Sequence, residues 1–98
     1  MTIDDIRAKL KENRDAIKKY GVMEIGIFGS HARGEARDDS DLDMIVVFER
    51  GKKTFDNFMD LHEMLERMYN RKIELVTLES ISTYIRPYVE EEVVYERL

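Results

Sequence analysis

A Gly-Ser pair ends one apolar segment of this chain, and an Asp-Leu-Asp triplet opens the next. Gly29-Ser30 follows a short strand expected over residues 24–28, Asp41-Leu42-Asp43 leads into residues 42–48, and ten residues separate Ser30 from Asp41. Each half has a chemical meaning. Gly29 lets the backbone come close to a phosphate, and Ser30 offers a hydroxyl and a backbone N–H. Asp41 and Asp43, at i and i+2 on a strand, project from one face. If both halves serve one site, the end of the first strand lies beside the start of the second. The two strands must then run antiparallel.

The flanking patterns extend this frame. Thr2 with Asp5 three residues on reads as a capping box, and Ile3, Ile6, Leu10, Ile17 and Tyr20 fall near one helical face before Gly21 ends the helix. A short helix is expected over residues 32–37. Leu42 to Phe48 is the clearest strand, β-branched and bounded by polar turns. Residues 54–69 read as an amphipathic helix with Phe58, Leu61, Leu65 and Met68 inward, and Met59, Met64 and Met68 as core material. Residues 73–77 form a third strand. It begins near Glu74, so it should run parallel to the second. A helix is expected from Ser80 or Ser82, with Pro87 interrupting it or opening a new first turn. Residues 93–95 are open between the end of that helix and a small edge strand. The pattern predicts one α/β (α+β) domain over residues 1–98, with a small mixed sheet of three to four strands covered by helices.

Composition narrows the function. The chain has 98 residues, 43% apolar, with room for one core. It contains no cysteine, which excludes disulfides and thiolate metal sites. Its formal net charge is −5 and it shows no basic stripe, so a direct nucleic-acid substrate is disfavoured. No apolar run approaches the roughly 20 residues of a membrane span. The N-terminus lacks a signal-peptide pattern, and a cytoplasmic protein is the default expectation.

The acidic residues carry the chemistry. Asp41 and Asp43 side by side repel each other unless a cation neutralises them. Mg²⁺ is the natural one, because it takes oxygen ligands and shares its shell with phosphates and water. Two such ions about 4 Å apart can clamp an in-line phosphoryl displacement. Glu74 stands in the apolar run Ile-Glu-Leu-Val and, on an adjacent strand, becomes a third acidic group. Arg33 and Arg37 are placed to screen a triphosphate. Taken singly these features are bland: Gly-Ser is usually only a turn, Asp-x-Asp a solvated loop end, and Glu74 an edge charge. Their combination at fixed spacing gives them meaning. His31 reads as a flanking residue and His62 as half-buried packing. The Glu90–Glu92 run reads as a solvated face, and Tyr84, Tyr88 and Tyr95 are open between packing and interface.

At these residues the chain resembles the minimal nucleotidyltransferases of the DNA polymerase β superfamily. Gly-Ser-x-Ala-Arg-Gly is matched by Gly29 to Gly34, and Ser-Asp-x-Asp by Ser40 to Asp43. The run Lys-Ile-Glu-Leu-Val-Thr and the later Tyr-Ile-Arg-Pro-Tyr-Val are also similar. The resemblance covers the chain from Tyr20 onward. One position departs: the third acidic residue of the family is usually aspartate, and here it is Glu74.

The resemblance implies the polymerase-β-like nucleotidyltransferase fold. It implies a Mg²⁺-dependent site in which Asp41, Asp43 and Glu74 are catalytic and bind metal, while Gly29, Ser30 and Arg33 hold the nucleotide, ATP. It also implies a partner. Small members of this kind are typically antitoxins paired with a helical HEPN-domain toxin, an RNase, and transfer AMP to one of its tyrosines within a hetero-oligomer. Two other functions remain open: a non-catalytic module that neutralises its partner by binding, and transfer to a small molecule such as an aminoglycoside.

Overall fold

The computed structural model describes residues 1–98. Helix α1 (Ile3–Glu12) opens on the expected box: the Asp5 N–H donates to Thr2 Oγ1 at 3.2 Å and the Thr2 N–H donates to Asp5 Oδ2 at 2.9 Å. Such a cap is worth about 1 kcal/mol. The expected continuous first helix is divided. Asn13 leaves the helical region at φ −107°, ψ 17°, and a separate helix α2 (Arg14–Lys18) follows. The cause is local: the Asn13 side-chain amide donates to the Lys9 carbonyl at 2.8 Å, competing with the helix for that acceptor.

The sheet has four strands in the order β3-β2-β1-β4. Strand β1 (Val22–Phe28) begins two residues earlier than its expected start at residue 24. Strand β2 (Leu42–Phe48) lies antiparallel to it, and β3 (Ile73–Thr77) runs parallel to β2. The sheet is mixed, with the strand directions that the shared-site argument requires. Strand β4 (Val94–Arg97) pairs antiparallel with β1 and settles the open question at residues 93–95 in favour of an edge strand. It is tied to α1 by Glu96, which is 6% exposed and accepts from Arg7 Nε at 2.9 Å. Removing one partner of such a pair strands a nearly buried charge.

Alternation in β2 separates core from site. Leu42, Met44 and Val46 join Ile6, Leu10, Ile17, Leu61 and Leu65 in one buried cluster. Asp43 and Ile45 point to the other face. Helix α4 (Phe55–Tyr69) presents Leu61, Leu65 and also Tyr69 inward, the last through an O–H that donates to the Ile6 carbonyl at 2.7 Å. Met64 and Met68 pack against this core, but Met59 is 44% exposed and is not core material as its type suggested.

Two further expectations change. The short helix is α3 (Gly29–Arg33), not residues 32–37. It starts where the strand stops and ends at Gly34, whose φ of 73° terminates it in the left-handed region. After β3 comes a single 3-10 turn (Leu78–Ser80) and then helix α5 (Arg86–Glu92). No helix begins at Ser80 or Ser82; Pro87 sits in the first turn of α5, where its missing N–H costs nothing. No helix is long and apolar enough to cross a membrane.

Candidate active site

The Gly-Ser turn and the acidic triplet meet where the topology required. Phe28 pairs with Asp43 across β1 and β2, and Asp43 pairs with Glu74 across β2 and β3. Gly29 follows at φ 73°, and a Cβ built on it would overlap the Asp43 carboxylate. The glycine is therefore required twice, by its backbone conformation and by the aspartate that fills the space beside it. Ser30 is half-buried in the first turn of α3 and Arg33 ends that helix, its guanidinium exposed.

The carboxylates are close enough to perturb one another. Burial pushes the Asp43 carboxyl above its usual value, and the charges of Glu74 and Asp41 push in the same direction; Arg33 opposes them and Glu92 adds to them. Asp41 is exposed and lies 3.8 Å from Lys72 Nζ. Glu74 is exposed at the start of the outermost strand. Nowhere do three acidic or imidazole side chains converge into a cage of protein ligands. Mg²⁺ does not need such a cage, since it is usually held by one or two carboxylates together with water and substrate phosphates. The oxygen-only donors at Asp41 and Asp43, with one carboxyl already strained by its neighbours' charge, fit that ion.

Other residues of the site were not read from the sequence. The Glu90–Glu92 run is not uniformly solvated: α5 packs against α3, and Glu92 folds back onto the turn. The Gly29 N–H donates to Glu92 Oε1 at 3.0 Å, and Arg33 Nη1 donates to Glu92 Oε2 at 3.0 Å. No local pattern distinguishes Glu92 from the two glutamates before it. His31 is 4% exposed. Its Nε2 accepts from Arg71 Nη1 at 3.1 Å, and the same Arg71 nitrogen donates to the Ser40 carbonyl at 3.1 Å. Burial, then the Arg71 charge, holds the imidazole below its usual pKa, so it is neutral with its proton on Nδ1. Although the nearby Asp41 backbone pulls that pKa the other way, Nδ1 makes no hydrogen bond of good geometry. His31 and Arg71 thus join the Gly29-Ser30 turn to the loop that carries Asp41. Arg37 makes no comparable side-chain contact with the turn. His62 is half-buried, with Nε2 2.8 Å from the Ile73 carbonyl oxygen, in keeping with packing.

Concavity alone would mislead here. A cleft of about 300 Å³ lies at the far end of β3, between Phe55, Phe58 and Thr77. Another, of about 340 Å³, lies behind α3 and borders the site at His31 and Arg33. Neither is lined by Asp41, Asp43 or Glu74; Asp41 and Glu74 are exposed and Asp43 is half-buried.

A family model described as Nucleotidyltransferase domain matches residues 6–97. The protein adenylyltransferase MntA of Thermococcus cleftensis is 38% identical over 96 residues, which cover 97% of this chain and 96% of that one. A solved structure described as a candidate minimal nucleotidyltransferase superposes with a TM-score of 0.79 at 32% identity, covering 96% of this chain and 95% of its own. A chain from a crystal structure of a toxin–antitoxin with AMP-PNP shares the fold at a TM-score of 0.69 and 24% identity, over 91% of this chain and 70% of that one. The match runs through the Gly-Ser turn, the aspartates and all four strands, and on that span the chain belongs to the nucleotidyltransferase family and is an enzyme of that class.

Proposed function

We propose that the protein transfers AMP from ATP to a tyrosine hydroxyl of a partner protein, a HEPN-type toxin that it thereby silences. The observation that supports this reading is the packing of Gly29 against Asp43, as a site that takes phosphate at the turn and a metal at the carboxylate would need. A relative 38% identical along almost the whole chain is a protein adenylyltransferase. Support for the partner comes from the family resemblance, from the toxin–antitoxin in which the same fold occurs with a nucleotide analogue, and from the exposure of Asp41 and Glu74.

In this reading Gly29 and Ser30 hold the β- and γ-phosphates, and Arg33 offsets their charge. Asp41 and Asp43, with Glu74, would hold Mg²⁺, which would supply charge neutralisation at the phosphate oxygens. The acceptor oxygen attacks the α-phosphorus. The new O–P bond forms as the bond from the α-phosphorus to the bridging oxygen breaks, and pyrophosphate leaves. Glu74 takes the proton of the attacking hydroxyl. The formal net charge of −5 argues against a nucleic-acid acceptor.

A second reading is favoured by one observation, the exposed and unconverged position of Glu74: the chain neutralises its partner by binding alone. The intact mass of the partner after incubation with this protein and Mg-ATP separates the two. Transfer adds one or more AMP units with wild type and none with Asp43→Asn. Neutralisation that persists in Asp43→Asn, with no mass gain in wild type, leaves a binding module.

A further inference from the structure

We propose that Glu92 is an internal stand-in for phosphate: its carboxylate occupies the donors of the Gly29 turn until a polyphosphate ligand displaces it, and displacement frees the end of α5. The proposal rests on the nucleotide reading above. Both oxygens of Glu92 are engaged, Oε1 by the Gly29 N–H and Oε2 by the Arg33 guanidinium, each at 3.0 Å. A backbone donor and a guanidinium converging on two oxygens of one anion are the arrangement that charge-assisted phosphate recognition uses. The Gly29 N–H lies beyond the last strand pair, Phe28 with Asp43, so no ladder carbonyl is there to receive it. A buried N–H needs an acceptor, and Glu92 provides one when no ligand does.

The choice of a charged acceptor is the informative part. Asp43 already fills the space beside Gly29, and Glu74 and Asp41 add to the charge there. A glutamine would cap the same N–H without bringing another negative charge to that crowd. A carboxylate brings one more, paired with Arg33 while 46% of the arginine side chain and 23% of the glutamate side chain stay exposed to water and to a competing anion. The contact is therefore suited to exchange. An incoming triphosphate with Mg²⁺ brings oxygens for both donors and a cation for the crowded carboxylates. A ligand carrying a single phosphate has less to offer, so Glu92 also sets a threshold for what the turn accepts. Exchange reaches further, because Glu92 is the last residue of α5 and the exposed Tyr88, 72% accessible, lies on the same helix. Nucleotide binding thereby loosens the segment that lies beside the site.

The test uses the full chain, with Mg-ATP and magnesium tripolyphosphate as probes in calorimetric titrations of wild type and Glu92→Gln. Affinity for both probes should rise about tenfold in the variant, the scale of one charge-assisted hydrogen bond. Amide exchange of wild type gives an independent reading: residues 89–93 should exchange faster with Mg-ATP bound, opposite to the usual protection by ligand. Equal affinity in the two proteins, or unchanged exchange on binding, overturns the displacement while leaving the nucleotide site standing. Failure of both proteins to bind either probe removes the nucleotide reading itself, and this proposal with it.

Discussion

Gly29 has no side chain, and the space one would take is filled by the carboxylate of Asp43. The turn and the acidic strand are therefore one packed unit, not two motifs that happen to be near each other. The same contact places Asp43 among Glu74, Asp41 and Glu92 in a partly buried setting.

That crowding makes a prediction about pH. Burial, then the neighbouring carboxylates, raises the native pKa of Asp43 above its usual 3.8. The folded protein therefore binds this proton more tightly than the unfolded chain does. The resulting stability is fully present below the unfolded value and is lost as pH rises through the raised native one. Without divalent cations, Asp43→Asn should melt higher than wild type at neutral pH, and the difference should vanish in acid. Thermal melts across pH in a chelator check this, and a variant that melts lower at pH 7 contradicts it.

Gly29→Ala should damage the fold as well as the site. The left-handed backbone alone costs a non-glycine residue roughly 1–2 kcal/mol, and the new methyl must push Asp43 aside. Ser30→Ala, by contrast, should leave the melting temperature nearly unchanged and weaken Mg-ATP binding. Denaturation and calorimetry on the two variants separate these effects; unchanged affinity in Ser30→Ala reduces Ser30 to a turn residue.

Glu74→Gln should slow AMP transfer by roughly 10²-fold or more, the scale of general-base catalysis. Glu74→Asp should remain active, because it restores the usual residue of the family at an exposed position with room to adjust. Single-turnover rates with saturating Mg-ATP give the comparison. A glutamine variant as fast as wild type would show that Glu74 is only an edge-strand charge.

Arg71→Ala should act at a distance. It removes the donor to the Ser40 carbonyl and to His31 Nε2 together. Leaving a buried acceptor unpaired costs roughly 1–3 kcal/mol. At a temperature where the variant is still folded, transfer should fall by roughly 10²-fold, as expected when a reacting group is misplaced by about 1 Å. Arg71→Lys, which keeps a donor, should recover part of the rate. Loss of stability with full activity in Arg71→Ala would make the His31–Arg71 link purely structural.

Much of the site can be read locally because its parts are local. A strand that ends at Gly29 and one that begins at Asp41 each announce themselves over a few residues. The period of two in β2 alone sends Leu42, Met44 and Val46 to the core and Asp43 away from it. The requirement that both halves share a site then dictates antiparallel β1 and β2, and the position of Glu74 dictates a parallel β3, as observed. The helix bounds were less legible. The divided first helix depends on one competing hydrogen bond from Asn13, and the start of α5 on which of several Ser and Pro signals the tertiary contacts favour.

Long-range partners lay beyond local reading. Glu90, Glu91 and Glu92 are indistinguishable in the sequence, yet only Glu92 meets the turn, across a separation of 63 residues from Gly29. His31 and Arg71 are 40 residues apart and acquire a joint role only when β3 is laid beside β2. The sequence by itself determined which residues carry the proposed chemistry, since the spacing of turn and aspartates and the alternation of β2 are properties of neighbouring residues. The tertiary structure decided which charges surround that chemistry, because burial and Coulomb interactions depend on where distant segments pack.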